Sequence, residues 1–148
     1  MKSLLLLTLI VASVTQLCAA RPQPEAQIAT FFATLSNKDG AEAIDGLCRG
    51  TFLEAQKAAQ LAAFSPQLDA AIKLYGKITR FENVDKRLFG ESFVKFRVIT
   101  YHTAGAPLFW EFTFSRAKDD WQVHIFQFND QFDRVFPSNP CSPNQPSG

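Results

Sequence analysis

The sequence predicts an α+β domain in which helices come first and a curved antiparallel sheet of about four strands follows. Three observations predict it. Between Ile28 and Leu74 the apolar residues recur at helical spacing, after Gly76 they alternate, and turn-forming stretches at Thr103–Pro107 and Ala117–Asp120 separate consecutive alternating runs. Consecutive strands joined by short turns pair as an antiparallel meander.

The chain opens on Met1-Lys2-Ser3, an apolar run from Leu4 to Val14, and Cys18-Ala19-Ala20. One positive charge, a short apolar run and small residues at the third and first positions before a cut are the layout of a signal peptide, here cleaved after Ala20. The run is too short to cross about 30 Å of hydrocarbon. A buried N-terminal helix is one alternative. A lipoprotein site at Cys18 is another, but Thr15-Gln16-Leu17 lacks the small residues that such a site needs. The expected partition is a leader over 1–20, a domain over 21–135 and a proline-rich tail over 136–148, with the product in the periplasm or the medium.

Pro24 opens a first helix at a position where its missing N–H costs nothing. Ile28, Phe31, Phe32 and Leu35 line one side of it, and Asn37-Lys38-Asp39-Gly40 ends it. A second helix starts near Ala41, with Ile44, Leu47 and Cys48 on one side and Gly46 and Gly50 weakening it. Phe52 to Ala63 is rich in Ala, Gln and Lys, all good helix formers. Ser65-Pro66 reads as a cap and first-turn proline of a separate short helix that runs to Leu74 and stops at Gly76.

Ile78 to Val84 is the first strand, imperfectly alternating and open to a bulge. Val94, Phe96 and Val98 define the second, Leu108, Trp110, Phe112 and Phe114 the third, and Trp121, Val123 and Ile125 the fourth. For the second and third strands, a register pairing Val98 with Trp110 and Phe96 with Phe112 also sets Arg97 beside Glu111. For the third and fourth, pairing Phe114 with Val123 and Phe112 with Ile125 makes the apolar sides coincide. That register sends Phe109, Phe126 and Phe128 to the opposite face.

Basic and acidic residues number 15 and 14, and losing Lys2 balances them. A neutral chain has no general attraction for nucleic acid or anionic membrane, so neither is an expected partner. All 15 phenylalanines follow the leader, enough for a large core, a lined cavity or an interface. Cys48 and Cys141 remain after cleavage. In an oxidising compartment they pair as a disulfide, which on the chain-entropy model is worth about 4–5 kcal/mol for so long a loop, or they stay as free thiols. With His102 and His124 they fit no usual zinc spacing, so no metal is expected.

Helices first, then Leu74-Tyr75-Gly76-Lys77-Ile78, then long strands ending in Trp121-Gln122-Val123 and Phe128-Asn129-Asp130, resembles the cystatin-like, NTF2-like α+β roll, and within it small exported bacterial domains. The resemblance covers Glu25 to Phe132 and lies in layout, not in catalytic residues. It implies a curved sheet wrapped on a long helix around a cone-shaped cavity. The superfamily holds isomerases, dehydratases and cyclases beside pure binding and dimerisation modules, so fold does not choose function.

Enzymes on this roll place an Asp, His or Tyr in the cavity, where burial brings its pKa toward neutrality. The expected inner strand face carries no carboxylate from Val94 to Ile125. Asp45, Tyr75 and Asp130 are the catalytic candidates, with Asp45 facing either the cavity or solvent. Tyr101, Trp110 and Gln127 are candidates for contact with a small apolar ligand; Trp110 and Trp121 equally suit the core. His124 opposes Thr113, as a partner of Asp130 or as a surface histidine. His102 begins a turn and is expected in solvent. There is no Gly-rich phosphate loop, no Gly-x-Ser-x-Gly and no His-Glu-x-x-His, and no cofactor is expected.

These residues favour a non-catalytic binding or assembly module over a small-molecule isomerase, cyclase or hydrolase. Ile99, Phe109, Phe126 and Phe128 form the expected apolar patch of a homodimer on the outer sheet face. Two other readings of that patch stand beside it: Phe136 and the tail fold back over it, or the sheet is inverted and the patch is core.

Overall fold

The computed structural model describes residues 21–137. Three helices, α1 (Pro24–Asn37), α2 (Gly40–Cys48) and α3 (Phe52–Tyr75), precede four strands, β1 (Ile78–Phe89), β2 (Phe93–His102), β3 (Leu108–Ala117) and β4 (Asp120–Asn129). A short helix, α4 (Phe132–Val135), follows. The strands form one open antiparallel sheet in chain order, β1-β2-β3-β4. The expected helix-then-sheet layout stands. The expected leader over 1–20 and Cys141 lie outside the described residues.

Local chemistry sets the helix starts. Pro24 occupies the first turn of α1. The Asp39 carboxylate accepts the Glu42 backbone N–H at 2.8 Å and so caps α2. Thr51 caps α3 through Glu54 N–H at 3.4 Å, while the Glu54 carboxylate reaches back to Gly50 N–H at 2.5 Å. Gly40 lets α2 start against α3: a Cβ there would stand 2.9 Å from Leu68 Cβ and 2.9 Å from Ser65 O.

Contrary to expectation, Ser65-Pro66 does not divide α3, which runs on through Pro66. The proline removes one helical hydrogen bond, but Leu61, Phe64, Leu68 and Ile72 lie on both sides of it and pack into one core. Keeping that apolar stripe continuous outweighs the lost bond. The departure from helical geometry comes earlier, at Lys57 (φ −131°, ψ 25°).

The expected register between β2 and β3 is found, including Val98↔Trp110, Phe96↔Phe112 and Arg97↔Glu111. The register between β3 and β4 starts as expected, with Phe114↔Val123, and then shifts at a bulge, giving Thr113↔Ile125, Phe112↔Phe126 and Trp110↔Phe128. His124 is the extra residue. The bulge exchanges the faces of everything after it: Ile125 is 46% exposed, and Phe126 and Phe128 pack against the core. Aromatic contact explains the exchange, since Phe64 of α3 meets Phe126 at 5.1 Å and Phe128 at 5.5 Å between ring centroids. β1 extends beyond the expected Val84 to Phe89 and carries two shifts of register against β2.

The core lies between the helices and the inner sheet face. Phe31 and Phe32 of α1 meet Trp110 and Phe112 edge to face, at centroid distances of 5.1 to 5.8 Å. On the outer face Phe109 is covered from within the chain. Phe132 and Phe136 stack 4.8 Å apart and meet Phe109 at 5.4 and 6.1 Å.

Candidate functional site

At the end of the roll where α3 stops and β3 begins, Tyr75, Asn129 and Asp130 edge a groove of about 390 Å³ whose apolar wall includes Phe64, Leu108 and Phe128. Tyr75 is the last residue of α3, and Asp130 directly follows β4. The Tyr75 phenol donates to Asp130 Oδ2 at 3.2 Å. Burial first, then that hydrogen bond and the carboxylate charge, raise the Tyr75 phenol above its ordinary value. Tyr75 therefore keeps its proton at neutral pH and acts as a donor, not as a base.

Gly76 makes this corner. Its φ is +82°, and a Cβ there would stand 2.0 Å from Thr103 Oγ1, so only glycine fits. The turn brings the Gly76 carbonyl 2.9 Å from Nδ1 of His102. His102, expected in solvent, is 5% exposed. Its Nε2 lies 2.9 Å from Thr100 Oγ1, which in turn accepts the Trp110 indole N–H at 2.8 Å. A carbonyl can only accept, so Nδ1 carries a hydrogen; the Thr100 hydroxyl beside Nε2 also lies 3.4 Å from Leu108 O. Both ring nitrogens are engaged. The signal for this was present: β2 alternates inward through Val94, Phe96 and Val98, and the same parity continues to Thr100 and His102.

The other candidates lie apart. Asp45 pairs with Arg49 on the surface of α2. It edges a separate groove of about 220 Å³ together with Cys48. Tyr101 is covered by the Arg80 guanidinium, 3.6 Å from its ring centre, and donates to Glu82 at 3.3 Å. Trp110 is fully buried, and Gln127 is exposed opposite Glu111 on the outer face. Arg97 reaches both Glu111 (3.5 Å) and Asp85 (3.3 Å), and Lys95 joins them at 2.9 Å from Glu111. His124 sits at the bulge between Phe52 and Phe93, each 6.0 Å away between ring centres, and makes no hydrogen bond or ion pair with Asp130.

Of the expected outer patch, Phe126 and Phe128 are on the inner face, because the bulge reverses their direction. Ile99 is half-buried and Phe109 is 8% exposed beneath Phe132 and Phe136. Burial pushes the Cys48 thiol up to about 12, against a smaller opposing pull from Arg21. Among the described residues no cluster of His, Cys, Asp and Glu could hold a metal ion, and no helix is long and apolar enough to cross a membrane.

The 2.00 Å crystal structure of a Campylobacter jejuni protein, provisionally named an NTF2-like transpeptidase, superposes on this fold with a TM-score of 0.55. The two chains are 13% identical, and the match covers 70% of this chain and 99% of the other. The chain has an NTF2-like fold. No family model and no curated protein matches the sequence.

Proposed function

We propose that this NTF2-like roll is an exported, non-catalytic module that binds or assembles with another protein. The observation that carries the reading is the filled interior. Where a cone-shaped cavity would lie, Phe31, Phe32, Phe64, Trp110, Phe112 and Phe126 are in mutual ring contact. No Asp, Glu, Lys or Arg is buried among the described residues. Of the ionisable side chains that enter, His102 has both nitrogens committed to structural bonds and Cys48 is a buried thiol. The transpeptidase name of the structural neighbour does not favour acyl transfer here: the Cys48 thiol, held near 12, is not a ready nucleophile.

One observation favours the enzyme reading, as an isomerase, cyclase or hydrolase: Tyr75 and Asp130 meet at the mouth of a groove. Native mass spectrometry of the protein recovered from its own host separates the two. The module is expected as a homodimer or a complex with another protein, with no enclosed small molecule. A retained small molecule that is lost on Tyr75→Phe or Asp130→Asn substitution would support the enzyme instead.

A further inference from the structure

The end of the roll opposite the Tyr75 groove holds residues 21 and 22 against the start of β4. The Arg21 backbone N–H donates to Asp120 Oδ1 at 3.1 Å. The Gln27 amide nitrogen donates to Pro22 O at 2.8 Å and to Trp121 O at 2.9 Å, tying the two segments together. The Arg21 guanidinium donates to the Arg49 carbonyl at the end of α2. Because Gln27 Nε2 faces two carbonyls, its amide orientation is fixed, and its Oε1 is buried without a partner. Gln27 and Arg21 line the same cavity of about 100 Å³. Among the described residues no Lys or Arg side chain pairs with Asp120.

We infer that Asp120 is a binding site for the α-ammonium group of a chain that begins at Arg21. The inference rests on the export reading, in which cleavage falls after Ala20. A peptide N–H gives Asp120 one neutral donor. Cleavage turns the same nitrogen into an ammonium with three donors and a positive charge. The charge meets the Asp120 carboxylate in place, 3.1 Å from the nitrogen that carries it. An α-amino group titrates at about 7.7–8.0, so most of it is charged at neutral pH. Processing thereby locks the N-terminus onto the β3–β4 turn, a contact that the uncleaved chain makes only as a neutral hydrogen bond.

The test compares three forms in urea at neutral pH and low salt: the chain starting at Arg21 with a free amine, the same chain acetylated on Arg21, and the free-amine chain carrying Asp120→Asn. Acetylation keeps one N–H donor and removes the charge without touching a side chain. The free-amine form should unfold with an equilibrium constant about two- to five-fold smaller than the acetylated form, the scale of a partly exposed ion pair. The gap should close at high salt and be absent when both are made with Asp120→Asn. Equal unfolding of the free and acetylated forms overturns the inference, as does a gap that survives Asp120→Asn. If Asp120→Asn does not fold, the acetylation comparison decides alone. N-terminal sequencing of the exported protein keeps the two layers apart: a start other than Arg21 removes the cleavage premise, whereas a start at Arg21 without a stability gap removes only the ammonium site.

Discussion

Inside the core the Trp110 indole N–H donates to Thr100 Oγ1 at 2.8 Å, and the same oxygen stands 2.9 Å from His102 Nε2. One hydroxyl thus engages a buried indole N–H on β3 and a buried ring nitrogen at the end of β2. Thr100→Val keeps the shape and strands both partners. We expect a loss of about 2–4 kcal/mol from two unsatisfied groups, read as a lower urea midpoint with an unchanged slope. A loss below about 0.5 kcal/mol, the range of ordinary surface substitutions, would refute the network.

The bulge at His124 makes a paired prediction. Phe126→Ala should cost about 3 kcal/mol, as a large-to-small change among Phe31, Phe64 and Phe112, and Phe126→Asp should prevent folding. Ile125→Asp, one residue earlier, should change stability by less than about 1 kcal/mol. The register without a bulge reverses this order, so circular dichroism melts of the two aspartate variants decide between them.

Glu25 and Lys86 join α1 to β1 at 2.5 Å. Burial alone would raise the Glu25 carboxyl, but the Lys86 hydrogen bond, a backbone bond and the Lys86 charge together hold it below its ordinary value. A lowered acid stabilises the fold above its unfolded pKa, and that contribution is lost as pH falls through the lower folded value. Glu25→Gln should therefore cost a few tenths of a kcal/mol at neutral pH, in keeping with a half-exposed pair, and nothing in strong acid. A difference that persists in strong acid would show that packing, not charge, is lost.

Cys48 is buried, with its thiol pushed up to about 12. In reduced protein it should react with a thiol reagent near pH 8 only as fast as the fold opens, which stopped labelling in mild and strong denaturant can show. If, as proposed, the chain is exported and Cys48 pairs with Cys141, the unfolded, unreduced chain should titrate no thiols. Two titrating thiols would exclude that bond.

The layout was legible because period is a local property. Helical spacing up to Leu74 and alternation after Gly76 lead to an α+β meander, and matched apolar faces lead to the β2–β3 register. Tyr75, Asp45 and Asp130 could be selected by residue type. That Tyr75 and Asp130 meet, 55 residues apart in the chain, while Asp45 pairs with Arg49, is a matter of tertiary placement.

By itself, then, the sequence determined the helices-then-strands order, the β2–β3 register, the start of the β3–β4 pairing and the aromatic supply of the core, since each follows from neighbours a few residues apart. Only the tertiary structure decided what depends on contact between distant residues. α3 continues through Pro66 because one apolar stripe must meet one core. β4 bulges at His124 because Phe64 and Phe31 offer Phe126 more contact than the opposite face does. Phe109 is covered because α4 brings Phe132 and Phe136 back across the sheet. The inward parity of β2 already pointed to His102, but its bond to the Gly76 carbonyl, 26 residues away in the chain, came only from the turn that Gly76 makes.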